Sequence, residues 1–252
     1  MENDLVEVLN SAEIPGELKS ALTGYYQALE ELKPALPPPF QARYTFWLEQ
    51  LLKEACDANT EFHWWETMLD LIPLQFEQLG VSSRTLQEAG SQLRPLMGRH
   101  LGPYEGVSLR EIGEDTVVRV CFLSDTLVEP QKYMVAPNAI SLAQALVNQK
   151  AWYRAIYAGK MLVGFIMLHD NEQEAEYFLW RFMISRPCQG RGYGAQAIQR
   201  LVEYVRTRPN AMELGVSCGV GEGSPQGFYE KQGFVSTGEF DDGELVLKMS
   251  LV

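Results

Sequence analysis

The segment of this sequence best suited to chemistry is a glycine-rich turn between an apolar strand and a helix. The strand is predicted over Glu176–Ile184 and the helix over Ala195–Val205, and residues 189–194 between them are Gln-Gly-Arg-Gly-Tyr-Gly. Glycine permits positive φ and close backbone approach, so successive N–H groups can point into one concavity. The positive end of the helix dipole reinforces that concavity. We therefore expect the turn to bind a pyrophosphate, with Arg191 adding a charged contact.

Two other phosphate-binding motifs fit the turn less well. A P-loop needs a lysine followed by Ser or Thr, and this segment contains no lysine. A dinucleotide fingerprint needs GxGxxG early in a βαβ unit, and the spacing of residues 190–194 is different. A glycine-rich surface turn without a ligand remains the alternative for the hexapeptide taken by itself.

The segment closely resembles the (Gln/Arg)xxGx(Gly/Ala) motif of the GNAT superfamily of acyl-CoA-dependent N-acyltransferases, with Gln189, Gly192 and Gly194 at the defining positions. Tyr229–Phe234 also matches a Tyr-x-x-x-Gly-Phe sequence found in that superfamily, and the order of elements over 106–252 covers a whole domain of this kind. The resemblance implies a GNAT fold, which is an α+β arrangement with a central, mixed and mostly antiparallel sheet flanked by helices. It also implies acetyl-CoA as co-substrate and no metal.

Within the superfamily, Trp180–Ile184 and Gly238–Glu244 are similar to the diamine and spermidine acetyltransferases. The resemblance then implies acetyl transfer to a primary amine, first of all a polyamine-like small molecule, by direct attack in a ternary complex. Two alternatives stay open: a non-catalytic acyl-CoA-binding or interaction module, and an acetyltransferase for a protein or aminoglycoside amine. A homodimer is among the assemblies that we consider.

The resemblance implies roles for the residues around the turn. The strand before it would bind the pantetheine arm, and Phe182 or Met183 would supply the oxyanion N–H. The superfamily often has Asn and Ala where this chain has Glu222 and Pro225, which puts an Asn contact to the cofactor in doubt. Ser224 is the substitute that we consider, and we expect it to be the N-cap of the following helix. The full set of expected cofactor-binding residues is Phe182, Met183, Ile184, Gln189, Gly190, Arg191, Gly192, Tyr193, Gly194, Ala195 and Ser224.

The acid and the base follow from the same resemblance. Tyr229 matches the usual general acid for the thiolate, and a tyrosine that only packs beneath the cofactor is its alternative. Polyamine acetyltransferases often have a carboxylate where this chain has Phe178 or Trp180, and neither of these can accept a proton. Alternation places Glu176 on the same face, so it is the candidate base, and a solvated glutamate is the alternative. Trp180 is expected to form an apolar or cation–π wall for the substrate.

An acidic loop that could attract an amine contains Asp170, Glu172 and Glu174.

Composition excludes several classes of protein. The chain has 252 residues and a formal net charge of −12, which argues against a nucleic-acid ligand and an anionic membrane surface. Its longest apolar run, Met161–Leu168, is far too short to span a membrane. Its four cysteines are scattered away from the histidines, so no zinc site is predicted and unpaired buried thiols are expected. The acidic N-terminus is unlike a secretory signal, so we expect a cytoplasmic enzyme.

The charge and the periodicity both divide the chain. Residues 1–105 contain 7 Lys and Arg against 16 Asp and Glu, a net of −9, and residues 106–252 contain 14 against 17. The first part is therefore predicted to be an acidic, all-helical domain of unknown role. The second is predicted to be the acyltransferase domain.

Local patterns predict the elements of both parts. In the first part we expect three helices, an extended Pro37–Pro39, a break or kink at Pro73 and a short helix after Ser83. One or both tryptophans of His63–Glu66 are expected to pack in the core of this part or against the second part, and a ligand role is the alternative. The helices are predicted at Ala21–Leu32, Tyr44–Ala55 and Trp64–Leu79. In the second part the predicted strands are Val107–Ile112, Trp152–Tyr157, Met161–Leu168, Glu176–Ile184, Leu214–Cys218 and Leu245–Leu251, and the predicted helices are Ala139–Val147, Ala195–Val205 and Pro225–Gln232.

Overall fold

The computed structural model describes residues 8–9, 11–56, 64–101 and 106–252. Its internal contacts group these residues into two compact units, Met1–Glu105 and Gly106–Val252. Each unit has its own buried apolar core, so each is described by itself.

The described residues of the N-terminal unit form helices joined by short connections. Its helices are α1 (Gly16–Leu32), α2 (Pro38–Cys56), α3 (Trp65–Gln78) and α4 (Arg84–Leu101). The three predicted helices are confirmed, with bounds that differ by a few residues. Helices α1 and α4 approach closely at Gly90, where an added Cβ would lie 3.4 Å from the ring of Tyr25.

Two proline signals and the length of one helix in this unit were interpreted wrongly or incompletely. Pro37–Pro39 is not wholly extended, because α2 begins at Pro38 and the Pro37 carbonyl accepts the N–H of Phe40. Proline is tolerated there since the first helical N–H groups have no partner inside the helix. Helix α3 continues through Pro73, and the helix after Ser83 is not short. Both helices bury apolar side chains on both sides of their prolines, which favours their continuation.

The aromatic core of this unit is held by one buried carboxylate. Trp64 and Trp65 are buried as predicted, and Trp47 meets Trp64 edge-on at 6.2 Å between ring centroids. The Glu54 side chain, 1% exposed, accepts the backbone N–H groups of Trp64 and Trp65 at 2.7 and 2.8 Å. These N–H groups stand at the start of α3, where the helix dipole favours a negative charge. His63 lies outside the described residues.

The C-terminal unit is built on a seven-stranded sheet with strand order β1-β2-β3-β4-β5-β7-β6. Every neighbouring pair is antiparallel except β4 with β5, so the predicted mixed, mostly antiparallel sheet is confirmed. The strands are β1 (Val107–Arg110), β2 (Ala151–Ala158), β3 (Met161–Asn171), β4 (Glu176–Ile184), β5 (Glu213–Cys218), β6 (Val235–Asp241) and β7 (Glu244–Ser250), and the helices are α5 (Val117–Leu123), α6 (Asn138–Val147), α7 (Tyr193–Val205) and α8 (Gln226–Lys231).

Two of these elements were not predicted. Helix α5 contains Val117, Val118 and Val120, whose β-branched side chains favour strands when taken residue by residue. Strand β6 is exposed at all seven positions, so it lacks the alternation of buried and exposed residues by which strands are recognised. Of the four cysteines, only Cys188 and Cys218 are buried as expected, because Cys56 is exposed and Cys121 is half-buried.

Strand β4 leaves its neighbour β5 half-way along its length. The parallel pairing covers only Phe178 with Gly215 and Leu179 with Val216. At this point β4 carries a β-bulge, since Met167 of β3 pairs with Arg181 and Leu168 pairs with Leu179, which leaves Trp180 unopposed. A bulge bends the strand and re-aims its side chains. The second half of β4 is therefore separated from β5 by a gap.

We predict that Glu54→Ala destabilises the protein by about 2–3 kcal/mol, because it leaves two buried N–H groups without their charged acceptor. Equilibrium urea unfolding followed by tryptophan fluorescence measures this, with Glu49→Ala on the exposed face of the same helix as the matched control. Equal effects of the two substitutions would show that the carboxylate does not hold the start of α3.

Candidate functional site

A cleft of about 840 Å³ opens in the gap between β4 and β5. Its walls are the second half of β4, the end of β5, the glycine-rich turn and the first turn of α7, and α8. One further wall is the segment Leu127–Pro137, which contains a 3-10 turn at Gln131–Tyr133. The predicted site residues that line the cleft are Trp180, Phe182, Met183, Ile184, Gln189, Gly190, Gly192, Gly194, Ala195, Ser224 and Tyr229.

The ladder with β3 decides which backbone N–H groups of β4 face the gap. Ser185 donates its N–H to the Val163 carbonyl on β3 at 2.8 Å. Since N–H groups alternate in direction along a strand, that of Met183 also points to β3, whereas that of Phe182 points the opposite way. Beyond Leu179 no β5 residue pairs with this edge. Of the two predicted oxyanion donors, Phe182 is thus the one whose N–H faces the cleft.

The turn has the backbone conformation that an anion site requires. Gly190 and Gly192 have φ of +74° and +81°, in the left-handed region that favours glycine. Gly192 is the N-cap of α7, where the structure shows no side-chain capping bond. Gly194 packs closely against α8, because a Cβ there would lie 3.3 Å from the ring of Phe228. The positive end of the α7 dipole therefore lies at the wall of the cleft that the glycine-rich turn forms.

Gln189 fixes the turn to the end of β4. Its side-chain amide donates to the Ile184 carbonyl at 2.9 Å and to the side-chain oxygen of Gln131 at 3.1 Å. Arg191, which is exposed, and Tyr193 belong to the same turn and helix start but do not line the cleft. The glutamine therefore positions the backbone of the turn through its own side chain.

Tyr229 lies at the base of the cleft on α8. Its side chain is buried, with Phe228 at 5.3 Å and Phe234 at 5.6 Å between ring centroids, and Phe228 in turn stacks on Phe182 at 5.8 Å. Burial, and to a lesser extent electrostatic interactions with Cys218 and then with Glu244, hold the pKa of the Tyr229 phenol well above its usual value. The hydroxyl therefore stays protonated throughout the neutral range and can act as a proton donor.

Ser224 differs by one position from its predicted place as N-cap. Helix α8 begins at Gln226, and the residue before it, Pro225, is the N-cap. Ser224 nevertheless accepts the Gln226 N–H at 3.2 Å through its hydroxyl, which also donates to the Gly219 carbonyl at 2.6 Å. Proline fixes its own φ but offers no side-chain acceptor, so the serine before it makes the capping bond.

The structure does not bring Glu176 to the cleft. This residue is at the far end of β4, and its side chain is 60% exposed with a carboxylate oxygen 3.7 Å from the His169 ring. The bulge at Trp180 breaks the alternation that placed Glu176 on the same face as the cleft residues. The acidic loop is engaged elsewhere: Asp170 and Glu172 pair with Arg208, and Glu174 accepts from Asn171.

Several polar residues of the cleft were not predicted from the sequence. Among them are Arg181 on β4, Ser217 on β5 and Glu244 at the start of β7. Ser217 donates its hydroxyl proton to the Glu244 carboxylate at 2.6 Å. A charged residue inside an otherwise apolar strand, as Arg181 is, was the one signal that could have identified a member of this group.

Two negative observations concern the described part of the chain alone. Within it, no three His, Cys, Asp or Glu side chains come together in a way that could hold a metal ion. Among the same residues, no helix combines the length and apolar character needed to cross a membrane.

Comparison with known proteins identifies the C-terminal unit. Residues 122–234 match the acetyltransferase (GNAT) family. This segment is a GNAT acetyltransferase domain. Together with the strand order of the sheet, this match confirms the predicted GNAT fold. The match also confirms the predicted enzyme class, an N-acetyltransferase. Strands β1, β6 and β7, and with them Glu244, lie outside the matched residues. A search of curated proteins finds no match.

Solved structures with a similar fold are distant in sequence. A spermidine N-acetyltransferase chimera from Vibrio cholerae is 19% identical, covering 58% of this chain and 96% of its own, with a TM-score of 0.45. An acetyltransferase from Bacillus subtilis in complex with CoA is 16% identical, covering 58% and 99%, with a TM-score of 0.44. One from Thermus thermophilus is 17% identical, covering 59% and 99%, with a TM-score of 0.46. Likenesses at this level do not bear on the substrate.

We predict that Gly192→Val raises the Kd for CoA at least tenfold, because a β-branched residue disfavours φ of +81° and its methyl groups enter the concavity. Isothermal titration calorimetry measures the Kd. Gly80→Val is the matched control, since Gly80 has φ of +76°, has no heavy atom within 4 Å of an added Cβ and belongs to the N-terminal unit. Unimpaired binding by Gly192→Val would show that the turn does not hold the cofactor.

Proposed function

We propose that the protein transfers an acetyl group from acetyl-CoA to a primary amine, with both substrates bound in the cleft. The observation that supports this most strongly is the continuity of the cleft from the glycine-rich turn, past the unpaired edge of β4, to the buried hydroxyl of Tyr229. The turn would hold the pyrophosphate, and the gap between the strands would hold the pantetheine arm.

The residues of the cleft supply what each step of the transfer needs. The neutral amine attacks the thioester carbonyl and forms a C–N bond, and the oxyanion that develops accepts the N–H of Phe182. When the C–S bond breaks, the sulfur takes the phenolic proton of Tyr229, and a proton from the amine nitrogen restores the phenol through solvent. The phenol of Tyr229 carries its proton at neutral pH, as an ordinary tyrosine does, and burial raises its pKa further.

The identity of the acceptor amine is a separate question from the class of reaction. The resemblance of Trp180–Ile184 and Gly238–Glu244 to diamine and spermidine acetyltransferases favours a polyamine-like molecule. The candidate base Glu176 receives no support from its position, because it does not line the cleft. A carboxylate that does line the cleft is Glu244. An ammonium group entering the cleft would meet it next to Ser217.

The function is tested by thiol release from acetyl-CoA in the presence of a panel of polyamines, amino acids, aminoglycosides and peptides. We expect release that depends on one class of amine and is saturable in both substrates. Tight CoA binding without amine-dependent release across the panel would contradict catalysis and favour an acyl-CoA-binding module.

We predict that Tyr229→Phe lowers kcat about 100-fold and changes the Kd for CoA less than threefold, because it removes the proton donor but keeps the packing. Tyr157→Phe is the matched control, since Tyr157 is also buried and lies outside the cleft. Steady-state kinetics with a saturating amine measures kcat. An unchanged kcat would leave Tyr229 as a packing residue beneath the cofactor.

A further inference from the structure

Arg181 lines the cleft with a positive charge that forms no ion pair with a carboxylate of the described residues. Its guanidinium donates to the Trp180 carbonyl at 2.7 Å, reaches the side-chain oxygen of Gln144 at 3.4 Å and stands over the Trp180 ring at 5.1 Å. Its Nε is buried and has no hydrogen-bond partner among the described residues. Burial lowers the pKa of this guanidinium. A desolvated cation with an unused donor favours an anionic ligand group.

Arg154 on β2 shows a similar arginine for which the protein itself supplies the anion. Arg154 donates to the carbonyl of the preceding residue at 2.7 Å and stands at 4.7 Å over the ring of Trp152, two residues before it, whereas Arg181 stands over the ring of the residue directly before it. It also pairs with the Glu111 carboxylate at 3.5 Å. No carboxylate of the described residues lies within 4.0 Å of Arg181. The difference between the two arginines is the missing anion, and only Arg181 lines the large cleft.

Glu244 provides the complementary charge at the same end of the cleft. Its carboxylate accepts the Ser217 hydroxyl and raises the pKa of Arg181 and of Tyr229. Its field therefore reaches both the cation and the predicted proton donor. Because Arg181 and Glu244 face one cleft but form no ion pair, a ligand with both charges can be placed between them.

The other cationic side chain that lines the cleft, Lys132, lies near the glycine-rich turn. Lys132 lies in the 3-10 turn beside Gln131, which bonds Gln189 of the glycine-rich turn, so it is near the expected pyrophosphate. The charged groups that line the cleft are thus Lys132 near the turn, and Arg181 and Glu244 near Tyr229.

We propose that the acceptor is a small amine that also carries a carboxylate, such as a free amino acid, with its ammonium on Glu244 and its carboxylate on Arg181. This inference rests on the proposed function and narrows its substrate class. A polyamine is disfavoured, because a second ammonium group would face the Arg181 guanidinium in a partly desolvated site. Arg181 and Glu244 are then specificity-determining residues.

The test compares amines that differ only in the carboxylate. Free amino acids are assayed with acetyl-CoA, and the best of them is compared with its amide and its decarboxylated amine. We expect kcat/KM for the amino acid to exceed both by about 10- to 100-fold, the usual range for a charge-assisted pair. Arg181→Gln should remove this difference by lowering kcat/KM for the amino acid alone. Glu244→Gln should lower kcat/KM for all three compounds.

Arg154→Gln is the matched control, since it removes an equivalent arginine outside this cleft, and CoA affinity reports that each variant is folded. A polyamine or decarboxylated amine preferred over every amino acid would overturn the inference and leave the proposed function standing. So would an Arg181→Gln variant that affects acid and amide equally. Absence of turnover with every amine would overturn both. Calorimetric titration of the amino acid into the CoA complex measures its Kd independently of turnover, and we expect Arg181→Gln to raise that Kd.

Discussion

Strands β4 and β5 pair at only two positions, Phe178 with Gly215 and Leu179 with Val216, and the rest of the cleft depends on that short pairing. Gly215 allows the close approach, because a Cβ there would lie 2.7 Å from the Phe178 ring. The bulge at Trp180 then bends β4 away from β5. Backbone N–H groups that a continuous sheet would use for pairing are left facing a gap, and the N–H of Phe182, the proposed oxyanion donor, is one of them.

The gap also explains how two charged residues can share an apolar neighbourhood. The sheet order β4-β5-β7 places Arg181, Ser217 and Glu244 on three adjacent strands, although they are far apart in the sequence. Ser217 bonds Glu244, while Arg181 is supported by the Trp180 ring and the backbone. Each charge is positioned by its own neighbours. Neither satisfies the other, so both remain available to a ligand.

Much of the fold was predictable because periodic burial reveals it. Helix α7 buries one face at helical spacing, and β3 is a continuous apolar run that is buried along nearly its whole length. Strand β6 was missed because it buries no residue, and α5 because its valines favour strands. The glycine-rich turn and Tyr229 were identified from local sequence. Arg181 and Glu244 were not identified as residues of one cleft, because a bulge and the strand order decide which side chains come together. Neither of these features leaves a local pattern in the sequence.

The most direct test of this account is a crystal structure of the protein with CoA. We predict that the pyrophosphate contacts the backbone N–H groups of residues 190–195 and that the pantetheine arm lies in the gap between β4 and β5. The sulfur should then be within hydrogen-bonding distance of the Tyr229 hydroxyl. CoA bound away from this gap, or a sulfur distant from both Tyr229 and the Phe182 N–H, would contradict the account.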